Sequence, residues 1–158
     1  MCEYCGCQEV TAIGDLTREH DLVVALIGRG RAAAAATDVP ALAELAVEIA
    51  AVLAPHTAVE ERGLFPALAG EFPEKVAALH DEHRRIEAVL AEAADGAPAD
   101  PAWPDRLAEA LRLLREHILK EQDGVFPAAL STLGPDEWDA VDRVRAQVGS
   151  RLGRPVAG

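Results

Sequence analysis

Aromatic side chains are scarce in this chain, 4% of 158 residues, and methionine occurs once. Sheets draw much of their packing from aromatic and β-branched pairs, so a core built on strands is disfavoured. Cysteine is confined to Cys2, Cys5 and Cys7 in the opening MCEYCGC. An odd number crowded together makes a poor disulfide framework and suits a reducing compartment. Three thiolates also fall short of the four ligands of a closed zinc site, so the segment reads as a thiol tail rather than a dedicated metal site. Positive charge is short as well: 15 lysines and arginines against 27 acids leave a net charge of −12, with no basic cluster. Such a surface repels phosphate backbones and anionic lipid, so neither a nucleic acid nor a membrane partner is expected. No run of about 18 apolar residues offers a bilayer span. No basic stretch followed by an apolar one marks a secretory signal, and the expected location is cytoplasmic.

What is present is alanine, much of an apolar fraction of 50%. Close-packed helices suit that composition, and the length suits one core. Turn-forming stretches at 28–40, 69–73, 95–104 and 131–135 leave four long segments, about 12–32, 39–68, 73–94 and 101–129, then a short one near 135–150. Thr37 or Asp38 stands as an N-cap ahead of Pro40. The expected organisation is a cysteine-containing tail over 1–11, a helical domain over 12–130, and a C-terminal helix and tail over 131–158. That last helix places Pro135 in its first turn and docks Trp138 and Val141 on the bundle.

The long segments carry helical stripes. Ile13, Leu16, His20, Val23 and Ile27 step by three and four, and so do Val76, Leu79, His83, Ile86 and Leu90. A second pair of stripes runs Leu45, Ile49, Val52, His56, Glu60, Gly63 and Leu107, Leu111 (or Ala110), Leu114, His117, Glu121, Gly124. HTAVEERGLFP at 56–66 and HILKEQDGVFP at 117–127 place histidine, glutamate, glycine, phenylalanine and proline at the same offsets. The chain is therefore an internal repeat of a helix pair. The fold expected is all-α: an antiparallel up-down-up-down four-helix bundle with a pseudo-two-fold axis and a short C-terminal helix.

Those seams bury His20, His56, Glu60, His83, His117 and Glu121, and none carries a lysine or arginine to pair with the acids. A buried unpaired carboxylate costs several kcal/mol, so the acids must be protonated or must hold cations. Neutral imidazole and ionised carboxylate are both ligands for borderline divalent metals. Residues i and i+4 share a helix face roughly 6 Å apart along the axis. His56 and Glu60 can thus meet one ion, or Glu60 can bridge to a second, and His117 and Glu121 do the same. With His20 and His83 added, each of two metals gains two histidines and a share in two carboxylates, with positions left open for an exogenous ligand.

REHD (18–21), HTAVEERGLFP, DEHRR (81–85) and HILKEQDGVFP together resemble the hemerythrin-like, or HHE cation-binding, domain over about residues 12–130. The resemblance implies a non-haem centre of two iron ions, oxo- or hydroxo-bridged, inside a four-helix bundle. Its ligands would be His20, His56, Glu60, His83, His117 and Glu121, and its ligand or substrate dioxygen or a related small molecule. Oxygen-carrying members use five histidines, with H-x-x-x-H on the third helix and an aspartate on the fourth. Here Leu79 stands where the extra histidine would be, His80 lies three residues before His83, and Gln122 occupies the aspartate position. His80 is either a fifth histidine ligand or a rim histidine. A centre without it is more symmetric and more open than a carrier's, which admits peroxide or nitric oxide chemistry.

The expected function is a di-iron protein that binds O2, NO or peroxide as sensor, scavenger or reservoir. The alternatives are a peroxide-decomposing enzyme or ferroxidase, and an iron- or redox-responsive interaction module. Around the site, Phe65 and Phe126 are expected to plug the bundle, with Pro66 and Pro127 ending or kinking their helices. Gly63 and Gly124 permit close helix approach, and Leu16, Val23, Leu79 and Ile86 wall the site. Glu19, Glu61, Glu82 and Asp123 read as solvated charges, one of them available to a ligand imidazole.

Overall fold

The structure, a computed structural model, describes residues 10–152. The expectations for Cys2, Cys5 and Cys7 lie outside those residues. Helices α1 (Thr11–Ala35), α2 (Val39–Val59), α3 (Phe65–Leu68), α4 (Pro73–Ala91), α5 (Trp103–Lys120), α6 (Phe126–Thr132) and α7 (Pro135–Val148) follow one another, with no strand among the described residues. Asp38 caps α2 by accepting the Ala41 amide at 3.1 Å, with Pro40 in the first turn where its missing N–H is not needed. The Glu137 carboxylate accepts the Gly134 amide at 3.0 Å at the start of α7.

Neither proline-marked helix ends at its proline. Glu60–Leu64 and Glu121–Val125 are π-helical turns, and the amides of Phe65 and Phe126 donate five residues back to the Glu60 and Glu121 carbonyls. Each wide turn absorbs one extra residue, after which Pro66 and Pro127 fall in the first turn of α3 and α6 and helix resumes. The rods α2–α3 and α5–α6 therefore run on through their motifs, and Glu60 and Phe65 are one turn apart on one face.

α1 packs on α2, α4 on α5, α2 on α4, and α1 on α5. α7 lies across the first π turn, α2 and α1. One apolar cluster gathers Val23, Ile27, Ile49, Val52, Ile86, Leu90, Leu107 and Leu114 with the fully buried Trp103, whose indole donates to the Val89 carbonyl at 3.1 Å. A second gathers Ile13, Leu16, Val59, Leu64, Phe65, Leu79, Phe126 and Val141. The histidine layer lies between them.

One helix bears on the expectation that no segment offers a bilayer span. Val39–Leu68 is 30 residues long and contains an 18-residue window of mean hydropathy 1.5, enough by length and composition alone to cross a membrane. In the structure 56% of that window is buried inside the protein, and the segment carries His56 and Glu60 into the interior. An alanine- and leucine-rich core helix meets the same criterion as a span.

Candidate metal centre

α1 supplies His20, α2 supplies His56, α4 supplies His83 and α5 supplies His117, and each π turn opens on one glutamate, Glu60 or Glu121. All six are buried, and both carboxylates are fully so. Ligand atoms of His20, His56, Glu60 and Glu121 lie within 4.8 Å of one another, and so do those of Glu60, His83, His117 and Glu121. The two groups share both glutamates. Glu60 Oε1 stands 3.4 Å from His56 Nε2 and 3.3 Å from His83 Nε2. Glu121 stands 3.0 Å from His20 Nε2 and 3.4 Å from His117 Nε2. Each acid thus reaches one histidine in either half. His80 belongs to neither group: it is one-third exposed, 3.5 Å from Glu61, and edge-on to Phe65.

The four imidazoles are held from behind. His56 Nδ1 donates to Glu19 at 3.1 Å, His117 Nδ1 to Glu82 at 2.8 Å, His83 Nδ1 to Glu61 at 2.6 Å and His20 Nδ1 to the Gln122 amide oxygen at 2.7 Å. With Nδ1–H committed, a neutral ring turns its Nε2 lone pair inward, and outer acceptors of this kind fix ring orientation and raise basicity. His83 Nε2 and His117 Nε2 face each other at 2.9 Å, two nitrogens aimed at one point. Phe126 stacks on His20 with centroids 5.3 Å apart, and Phe65 stacks on His83 at 5.7 Å, closing one end.

The outer acids correct the sequence reading of solvated charges. Glu19 is fully buried and Glu82 nearly so, while Glu61 is partly exposed; Asp123 alone of the four faces solvent. A buried carboxylate needs compensation, and it comes from off the seams. Arg145 on α7 donates to both Glu19 oxygens, at 2.7 and 2.9 Å, and Ser150 adds a third bond at 2.7 Å. Lys120 pairs with Glu82. Burial alone would raise the Glu19 carboxyl, but His56 and Arg145 outweigh it and hold it at about 2. Glu82 is lowered likewise, against its burial, by Lys120 and His117.

Whether these residues fit a metal is decided by the inner acids. Among the described residues, both oxygens of Glu60 and Oε2 of Glu121 are buried without a hydrogen-bond partner. Such orphans are rare and costly unless something positive sits among them. Protons answer the same demand. Burial would lower His56, but the Glu60 charge beside it and the bond to Glu19 raise it to about 10. His117 is raised to about 9, against burial, by Glu121 and Glu60. Glu60 itself is held well below the carboxylate range, chiefly by His56 working against burial. The layer is built for positive charge, and an imidazole–carboxylate donor set suits a divalent transition metal.

Beside the four histidines a cavity of about 10 Å³ is lined by Leu53, Ile86, Leu114 and Ile118, with Thr57 and Glu87 as its polar contributors. That holds about one water-sized molecule. Of the four expected wall residues Ile86 lines this cavity, while Leu16 and Leu79 sit in the cluster with Phe65 and Phe126 and Val23 in the other.

Sequence reasoning missed Arg145, Ser150, Gln122's acceptor role and the π turns. The recurrence of Glu-His at 19–20 and 82–83 was the available signal for the outer acids. Each acid serves the histidine of a different helix, which spacing alone does not reveal. The family model for the Hemerythrin HHE cation binding domain matches residues 11–129. No curated protein and no solved structure matches the chain.

Proposed function

The chain belongs to the hemerythrin HHE cation-binding family, and we propose that it is a di-iron protein binding O2, NO or peroxide between its four histidines. The observation that carries the reading is the pair of overlapping His2Glu2 groups around two buried carboxylates with unpartnered oxygens. His20 and His56 would hold one ion, His83 and His117 the other, and Glu60 and Glu121 would bridge. Iron in such a site supplies reversible electron transfer to and from small oxidants. The chain's own contribution is to orient four Nε2 atoms, exclude bulk water with Phe65, Phe126 and the apolar cavity wall, and leave space for one small ligand. We also infer an up-down-up-down antiparallel order for α1, α2, α4 and α5, which the pairing of consecutive helices supports. Anaerobic iron loading with metal analysis, followed by separate exposure to O2, NO and H2O2, tests the reading. A new charge-transfer band with one of them is expected. Iron that stays below one ion per chain, or a spectrum indifferent to all three, overturns it.

A second reading, peroxide turnover, is favoured by Glu87. Glu87 is exposed on its outer side and also contributes to the cavity lining, and partial desolvation, opposed by His83 and helped by Glu61, raises its carboxyl pKa. A carboxyl group beside the cavity is placed to exchange a proton with a bound small molecule. If turnover occurs, Glu87→Gln slows it at least tenfold while iron content is unchanged. Peroxide loss no faster than free iron produces removes this reading.

A further inference from the structure

α7 lies outside the stretch matched by the family, and it covers only one half of the repeat. Its Val141 and Val144 pack with Ile13, Leu16 and Leu64. The approach is close: a Cβ on Gly63 would stand 3.0 Å from the Val141 Cα. The repeat carries this seat onto a second place. Val76 stands for Ile13, Leu79 for Leu16, Gly124 for Gly63 and Val125 for Leu64. In the structure those four residues line a groove of about 500 Å³ together with Leu68 and Phe72, and a Cβ on Gly124 would meet nothing within 4 Å among the described residues.

The two seats differ in charge. Where α7's seat has Ala12, Val59 and Arg62, the groove has Lys75, Lys120 and Asp123, the two lysines being the chain's only ones. Arg62 meets Gln147 on α7, so Asp123 stands at that end of the groove and the lysines at the end equivalent to Arg145. In the first seat the covering helix brings a cation, Arg145, to the buried Glu19. In the second, Lys120 already pairs with Glu82 and has N–H donors to spare. A helix lying there as α7 lies on its own side would turn the residue equivalent to Arg145 toward Lys120, where an arginine is repelled and a carboxylate attracted. A second copy's α7 is therefore the wrong occupant.

We propose that the groove between α4 and the second π turn is a docking seat for a partner protein's helix. That helix carries a β-branched apolar ridge over Gly124 and a carboxylate facing Lys120 and Lys75. The inference does not depend on the metal reading, because the groove lies outside both His2Glu2 groups.

The probe is the 14-residue α7 sequence bearing Arg145→Glu, stapled on its outward face and titrated into the full metal-loaded chain. Saturable shifts at the amides of Val76, Gly124 and Val125 are expected, with affinity about tenfold above that of the native-sequence peptide. Gly124→Leu fills the seat and weakens binding more than about tenfold, with melting temperature and metal content unchanged. Absence of saturable shifts at millimolar peptide overturns the proposal, as does equal binding of both peptides or indifference to Gly124→Leu. Decanoate that binds the groove where the peptide does not identifies a small-amphiphile site instead and also overturns it. Self-association of the chain that is abolished by Gly124→Leu does the same in favour of a second copy.

Discussion

The half formed by α1, α2, the first π turn and α3 and the half formed by α4, α5, the second π turn and α6 agree at the centre and differ at the margin. Inside, histidine answers histidine and glutamate answers glutamate. Outside, Glu19 is neutralised by Arg145 and further hydrogen-bonded by Ser150, both from beyond the repeat, whereas Glu82 is neutralised by Lys120 from the repeat itself. Glu61 backs His83, whereas the neutral Gln122 backs His20. The inner side chains are held to one chemistry because both groups share the same two carboxylates. An outer carboxylate needs only a cation within reach, whatever element brings it.

Removing a shared acid should break both halves together, the largest effect. Glu60→Gln keeps the volume and removes the charge that His56 and His83 both face. Metal analysis after iron loading should show bound iron reduced by more than half. Loss confined to half the iron would mean that Glu60 serves one ion only.

The margin should break unevenly. Arg145→Met leaves the buried Glu19 without its guanidinium, with only His56 and Ser150 as partners, and about 3 kcal/mol of unfolding free energy should be lost in urea titration. Metal affinity should fall about tenfold or more through the His56 ring that Glu19 orients. Lys120→Met should cost less, about 0.5–1 kcal/mol, because the lysine is more than half exposed and its pairing is screened. Equal losses from the two variants would erase the distinction between the halves.

The two repeat glycines offer a smaller contrast of opposite sign. Gly63→Ala forces backbone apart where a Cβ meets Val141 Cα at 3.0 Å, and should destabilise by about 1–3 kcal/mol. Gly124→Ala meets nothing within 4 Å and should be neutral or stabilise by up to about 1 kcal/mol through reduced backbone entropy. Chemical denaturation of the pair decides it. The expectation that both glycines permit close helix approach holds at Gly63 and fails at Gly124, where no described residue would meet a Cβ within 4 Å.

The gentlest probe is pH, applied to metal-free protein. His56 and His117 are raised from 6.5 to about 10 and about 9, so their stabilisation is complete below pH 6.5 and fades as pH climbs through 9 to 10. Glu19 is lowered from 4.5 to about 2, so its stabilisation is present above pH 4.5 and fades as pH falls toward 2. The melting temperature should therefore be highest between those limits and drop by some degrees on either side. Divalent metal should flatten the alkaline side, since metal and protons compete for the same nitrogens. A melting temperature of metal-free protein that still rises from pH 7 to 10 contradicts the assignment.

Much of this was legible in the chain. Stripes at three and four, turn-rich breaks and a repeat with matched His, Glu, Gly, Phe and Pro carried the helices and all six inner residues, because helical spacing fixes which side chains share a face. Charge on an apolar seam then demanded a partner of opposite sign. The π turns escaped, since a proline-marked break and a proline-tolerant continuation look alike until the Phe65 and Phe126 amides find their acceptors. Arg145 escaped because it lies 126 residues from Glu19. The sequence by itself determined which residues face inward, because that is a property of one helix at a time. Only the tertiary structure decided which acid stands behind which imidazole, what neutralises it, and which of two equivalent seats is covered, because those depend on how separate helices approach one another.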